Sequence, residues 1–138
     1  MRKRSKAREF VLQVLYQIEM THDKYDVALE SFWQAQEEDL DQDVKDFTSG
    51  LVKGTIDNLV EIDNRISLYA TNWKLDRMAA VDRNVLRMSC FELMFREDIP
   101  PKVSINEAVD LAKKYSGPEA GKFVNAILDK VKIEKEAE

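Results

Sequence analysis

The sequence predicts an all-α fold, and three observations lead there. Apolar residues recur every three or four positions through most of the 138 residues, and only 4 Gly and 3 Pro interrupt them. No segment alternates apolar and polar residues as a half-buried strand does. With 44% hydrophobic and 34% charged residues, the composition is that of a helical globule and not of a disordered or turn-rich chain. The length suits one domain, a compact bundle of about six to seven helices. A chain of this size buries roughly two thirds of its unfolded surface, so it needs neither a disulfide nor a structural metal.

The first helix is expected from Lys3 to Met20, a stretch without Gly or Pro. With Val11 at zero and about 100° per residue, Ala7, Val11, Val14, Leu15 and Ile18 fall within roughly 60° of one another's centre line. Arg2, Lys6, Gln13 and Tyr16 fall on the opposite side, so Tyr16 shares a face with basic residues. Asp26 is the expected cap of a short second helix carrying Val27, Leu29, Phe32 and Trp33. The following QAQEEDLDQD reads as a solvated acidic connector. Phe47, Leu51, Thr55, Leu59, Ile62, Ile66 and Tyr69 step by 3 or 4 residues, predicting one long helix over 42–69, in which Gly50 and Gly54 allow a close neighbour or a bend.

A fourth helix begins at Lys74 or Asp76 and runs to Phe95. Met78, Val81, Val85, Leu86, Met88, Cys90, Phe91, Leu93 and Met94 cover most of its circumference, which assigns it to the centre of a bundle. Pro100 and Pro101 end that segment. Ser104 and Glu107 form an S-x-x-E capping box opening the next helix, with Ala108, Leu111, Ala112 and Tyr115 on one side. Ser116-Gly117-Pro118 breaks the chain, and Pro118 suits the first turn of a last helix. Its core face is Val124, Ile127, Leu128 and Val131, with Phe123 at the edge. The folded domain is expected to span 1–132, and the charged tail 133–138 to fray.

Catalysis finds poor material. His22 stands near a helix end, where a surface or capping role is ordinary, and Cys90 lies in the most apolar helix, as a structural thiol does. With one His and one Cys, a disulfide framework or a Cys/His zinc site is not expected. No phosphate-cradling loop or nucleophile elbow is present, and EEDLDQD lacks the glycine and spacing of a calcium loop. No cofactor is expected. No apolar run reaches the roughly 18 residues of a membrane span, and the basic N-terminus is unlike a signal peptide, so a cytoplasmic protein without membrane contact is expected.

Charge is more informative. The formal net charge of -5 taken alone opposes a nucleic-acid partner. Its distribution does not: Arg2, Lys3, Arg4, Lys6 and Arg8 crowd the first turns with no acid among them, whereas Glu19 to Asp46 holds ten acids against Lys24 and Lys45. Cations followed on the same face by Tyr16 combine phosphate neutralisation with a stacking platform, as single-stranded nucleic-acid sites do. The alternative is a solubilising end with Tyr16 packed on a neighbouring helix. Lys122 and Phe123 add a second cation and aromatic.

Four segments resemble the NusB family of bacterial transcription antitermination factors: AREFVLQVLYQ, Ile62-Asp63 with Trp73 beyond, VDRNVLRMSCFEL, and IPPKVSINEAVDLAKKYSGPEAGKFVNAILDKV. The last, INEAVDLAK followed by KFVN, is the most specific. The resemblance covers nearly the whole chain and implies two small three-helix halves. It implies binding of single-stranded boxA RNA in rRNA transcripts jointly with NusE, a small-subunit ribosomal protein, within an elongation complex holding other Nus factors. Some members of the family dimerise, which leaves a homodimer open. Residue by residue, it implies RNA contacts at Arg2, Lys3, Arg4, Lys6, Arg8, Tyr16, Lys122 and Phe123, and NusE contacts at Asp82 and, more weakly, Tyr69.

The sequence departs from the family pattern at Ala126, where KFVNG is common, at Asp82, where Glu is usual, and at Ser5, which interrupts the basic run. NusB-like domains also occur fused to an rRNA cytosine methyltransferase, but 138 residues without a glycine-rich loop leave no place for its cofactor-binding sheet. The rival reading from another class is a helical protein-interaction adaptor without RNA binding.

Overall fold

The computed structural model describes residues 2–138. Among these, seven α-helices and one 3-10 turn are present and no strand. The helices are α1 (Lys3–Thr21), α2 (Tyr25–Gln34), α3 (Gln42–Asp57), α4 (Leu59–Tyr69), α5 (Ala80–Phe95), α6 (Pro101–Ser116) and α7 (Pro118–Glu136), with the 3-10 turn at Leu75–Arg77. They divide into two compact units, Met1–Asp57 and Asn58–Glu138.

In the first unit α1 packs on α3 and α2, and α2 on α3. The apolar face read from α1 is the buried one: Ala7, Val11, Val14 and Leu15 lie against Ala28, Leu29 and Phe32 of α2 and Val44, Phe47, Leu51 and Val52 of α3 within one core. Complete burial of a side chain such as Leu51 contributes about 1.5–3 kcal/mol. Phe10, Phe32 and Trp33 meet edge to face, with centroids 5.3–6.1 Å apart. His22 closes α1 in the left-handed region (φ 61°), its N–H donating to Ile18 O, a conformation that His adopts more readily than bulkier residues. Asp26 is not the cap of α2. Helix geometry begins at Tyr25, and Asp26 sits in the first turn, where its charge favours the helix N-terminus.

The expected single helix over 42–69 is two. Asn58 leaves helical geometry (φ -114°, ψ 21°), and its carbonyl accepts from Ile62 N–H to start α4. The apolar period runs unbroken through this point, and the polar Asp57-Asn58 pair breaks only the backbone. Short Asp and Asn side chains compete for backbone hydrogen bonds and favour such breaks. The unit boundary falls at the same place.

In the second unit α5 packs on α4, α6 and α7, and α6 on α7. Val85, Leu86, Met88 and Cys90 are completely buried, as the wide apolar circumference of α5 requires. That helix starts at Ala80, later than expected, because the 3-10 turn takes up the preceding residues. Arg83 holds the turn, donating to the carbonyls of Leu75 and Met78 at 3.0 and 2.9 Å. The capping box at Ser104 and Glu107 is not used. Pro100 and Pro101 open α6 one turn earlier, with Pro101 in the first position, where its fixed φ is already helical and its missing N–H is not needed. Ser104 is thereby buried inside the helix, and its Oγ donates to Glu92 Oε1 at 2.7 Å.

Gly117 joins α6 to α7 at φ 105°, a conformation that strains any L side chain, while space itself is open around it. Gly121 is required for space: a Cβ there would stand 2.7 Å from Lys113 Cγ. Val124, Ile127, Leu128 and Val131 form the buried face of α7, as expected. The helix continues to Glu136, and Glu134 pairs with Arg65 at 2.9 Å.

Candidate nucleic-acid interface

The first unit carries most of the basic residues singled out in the sequence. Arg2, Lys3 and Arg4 are exposed, Lys6 is half-buried, and Tyr16 is half-exposed on the same helix. The helical wheel that put Tyr16 with Arg2, Lys6 and Gln13 away from the core agrees with this placement. Arg8 differs. It is 1% exposed, with its guanidinium 5.2 Å from the centroid of Phe47, so it belongs to the interior and is out of reach of a phosphate. Its place one residue after Ala7 turns it inward, and the Phe47 ring offers a cation–π contact there. Arg4 stands over the same ring at 4.5 Å.

The acidic connector is not simply solvated. Lys3 Nζ lies 2.9 Å from Asp41 and 3.6 Å from Asp43, and Lys6 Nζ lies 3.6 Å from Glu38. The hydrogen bond from Lys3 holds the Asp41 carboxyl below its ordinary range, and the same bond raises Lys3. Carboxylates therefore occupy the positions that phosphates would take on these two lysines.

The second unit holds Lys122 and Phe123. Lys122 is exposed and stands 3.6 Å from Glu119. Phe123 is half-buried, and its ring meets that of Trp73 edge-on, with centroids 6.2 Å apart and planes at 74°. The two aromatics border a groove of about 570 Å³ lined also by Met78, Ala79, Asp82 and Ala120. Asp82 lies in the first turn of α5, and its Oδ1 is buried without a hydrogen-bond partner. Tyr69 donates its hydroxyl to Glu134, which raises its pKa because the carboxylate accepts that proton. Ala126, the departure from the family's glycine, is exposed on α7.

Reasoning from sequence missed two features. Trp73 entered only as part of a family segment, although an aromatic between Thr71-Asn72 and Lys74 is itself a signal of surface use. The buried Glu92–Ser104 pair was also missed, although an acid between Phe91 and Leu93 in a helix assigned to the bundle centre is itself a signal of a buried polar contact.

Elsewhere the side chains are structural. Burial pushes the Cys90 thiol up to about 12, which removes its reactivity. Among the described residues no group of three or more His, Cys, Asp or Glu is placed to hold a metal ion, and no helix is long and apolar enough to cross a membrane.

The described residues thus form two helical units, the first presenting a cationic, aromatic-bearing helix and the second an aromatic groove. The NusB family model matches residues 5–132, and the chain belongs to the NusB family. It is 43% identical to the transcription antitermination protein NusB of Thermodesulfovibrio yellowstonii, over 96% of this chain and 93% of that protein. The solved structure of T. maritima NusB has a TM-score of 0.85 at 37% identity, covering 98% of this chain and 97% of the other. A chain from a complex of antitermination factors NusB and NusE with double-stranded RNA has a TM-score of 0.85 at 29% identity, covering 97% and 98%.

Proposed function

We propose that the chain is a transcription antitermination factor that binds a boxA-type single strand together with NusE in the elongation complex, in the cytoplasm and without catalysing a reaction. The observation that carries this reading is the first helix: Arg2, Lys3, Arg4 and Lys6 sit with a half-exposed Tyr16 on the surface of α1. The solved NusB–NusE complex, which holds double-stranded RNA, supports RNA and NusE as the kinds of partner. The cations neutralise phosphates and position the strand, and Tyr16 and Phe123 stack on splayed bases. Asp82 and, secondarily, Tyr69 face the basic ribosomal protein. Asp82 suits that role better, because it lines the open groove, whereas the Tyr69 hydroxyl is engaged by Glu134.

The test is an anisotropy titration of a labelled boxA-type strand across a salt series, with and without NusE. Each phosphate contact adds about 0.7 to the log–log salt slope, so three or four contacts give a slope of about −2 to −3. Tyr16→Ala weakens binding by about 1–3 kcal/mol. An affinity indifferent to salt, or no affinity in either condition, would leave the adaptor reading in its place.

A further inference from the structure

The groove between Trp73 and Phe123 has no role in the reading above beyond the Phe123 ring itself. Trp73 is 56% exposed, unusual for the largest apolar side chain in a loop that is otherwise polar. It is not a loose residue. Its backbone N–H donates to Ala70 O at 3.1 Å, and the 3-10 turn after it is pinned by Arg83. The edge-on contact with Phe123 leaves a ring face unstacked, and Met78, Ala79 and Ala120 give the groove an apolar lining. Exposed Lys74, Arg77 and Lys122 adjoin the two rings in sequence or in the groove lining. Asp82 and Glu119 also line the groove, with Glu119 3.6 Å from Lys122, so these cations are partly balanced by acids, and what the groove chiefly offers a base is an aromatic face in an apolar lining.

We infer that Trp73 is a second stacking residue of the second unit, forming with Phe123 a slot for one unpaired nucleobase of the bound RNA. The inference rests on the RNA-binding reading and adds a residue to it. Asp82 lines the same groove, so a base in the slot and a basic side chain of the protein partner at Asp82 would meet there. That gives joint binding of RNA and protein a physical basis, because two ligands meeting in one groove can contact each other and each then raises the other's affinity.

Trp73 and Trp33 are the two tryptophans of the chain, so a Trp33→Phe variant reports on Trp73 alone. Adding a boxA-type strand to that variant quenches its emission along the same curve as the anisotropy titration. Trp73→Ala lowers RNA affinity about 5- to 150-fold, Trp73→Phe restores most of it, and both keep the circular dichroism of the parent. If the parent binds RNA and Tyr16→Ala weakens it, but Trp73 emission is silent and Trp73→Ala binds as the parent does, the slot is wrong and the RNA reading stands. Emission that answers to purified NusE alone and not to RNA assigns the groove to the protein partner and overturns the inference. No RNA binding by the parent at low salt, with or without NusE, overturns both readings.

Discussion

The Lys3–Asp41 pair of the first unit and the Arg87–Asp63 pair of the second have nearly equal lengths, 2.9 and 2.8 Å. Their surroundings differ: the side chains are 62% and 45% exposed in the first pair, 15% and 25% in the second. Arg87 also grips Asp63 through two parallel bonds, from Nε to Oδ1 and from Nη2 to Oδ2. A lysine in water holds its partner through a screened point charge, whereas a shielded, bidentate arginine fixes a geometry. The Lys3–Asp41 contact thus stays exchangeable, available to an outside anion, whereas the Arg87–Asp63 pair ties α4 to α5.

The sharpest test of that contrast is Arg87→Ala. It strands a largely shielded Asp63, and with some solvent still reaching the pair the loss is about 2 kcal/mol, below the roughly 3–5 of a fully buried pair. Urea unfolding measures it. Lys3→Ala leaves the urea midpoint in place and instead weakens RNA binding. If both substitutions shift the midpoint equally, the distinction between the pairs fails.

Ser104→Ala comes next. It removes the hydroxyl that donates to the fully buried Glu92 carboxylate, and the expected loss is about 1–2 kcal/mol. RNA affinity is unchanged, because the pair is internal to the second unit.

Cys90 probes the same interior by pH. Burial raises its thiol from an ordinary value near 9 to about 12, so the folded state keeps a proton that the unfolded state loses. Stability therefore falls as pH rises from about 9 towards 12, by at most about 1.4 kcal/mol per pH unit from this group. Comparing urea midpoints of the parent and Cys90→Ala across that window isolates the contribution. The variant shows the shallower decline, and the native thiol resists alkylation at pH 9 until urea is added.

The parts of the fold legible in the sequence were those set by side-chain periodicity, as in the faces of α1, α5 and α7. The break at Asn58 was not, because the apolar period runs through it while only the backbone leaves the helix. The start of α6 was misread for a related reason: a capping box and a proline at the first position are both start signals, and Pro101 comes earlier in the chain. Within the site, Tyr16 was legible because its wheel position opposes the core. Arg8 was legible on the same wheel, which sets it about 60° from Val11 at the edge of the core face, but the charge count grouped it with the exposed cations. The pairing of Lys3 and Lys6 with Asp41, Asp43 and Glu38 is a contact across more than thirty residues, and separate readings of a basic end and an acidic connector could not contain it.

That pairing sets the smallest of the predicted effects. RNA phosphates and the connector carboxylates compete for Lys3, so Asp41→Asn raises RNA affinity by a few fold while the thermal midpoint stays put, as expected for exposed pairs. Asp57→Asn, which breaks the equally exposed Lys53–Asp57 pair, removes the same formal charge from the same unit. It serves as the control, raising affinity less because Lys53 is not among the cations assigned to RNA. The advantage of Asp41→Asn over the control shrinks as salt rises and the Debye length falls below about 8 Å. Because Lys3 lowers the Asp41 pKa, the competing carboxylate stays charged as pH falls towards the ordinary carboxylate range and is lost only below it. The gain of Asp41→Asn over the parent is therefore constant from pH 8 down to pH 5, as far as Asp41 sets it. Equal affinities for the two variants at low salt would mean that the connector acids lie off the path of the strand, and the ion pairs on Lys3 would then be no more than surface contacts.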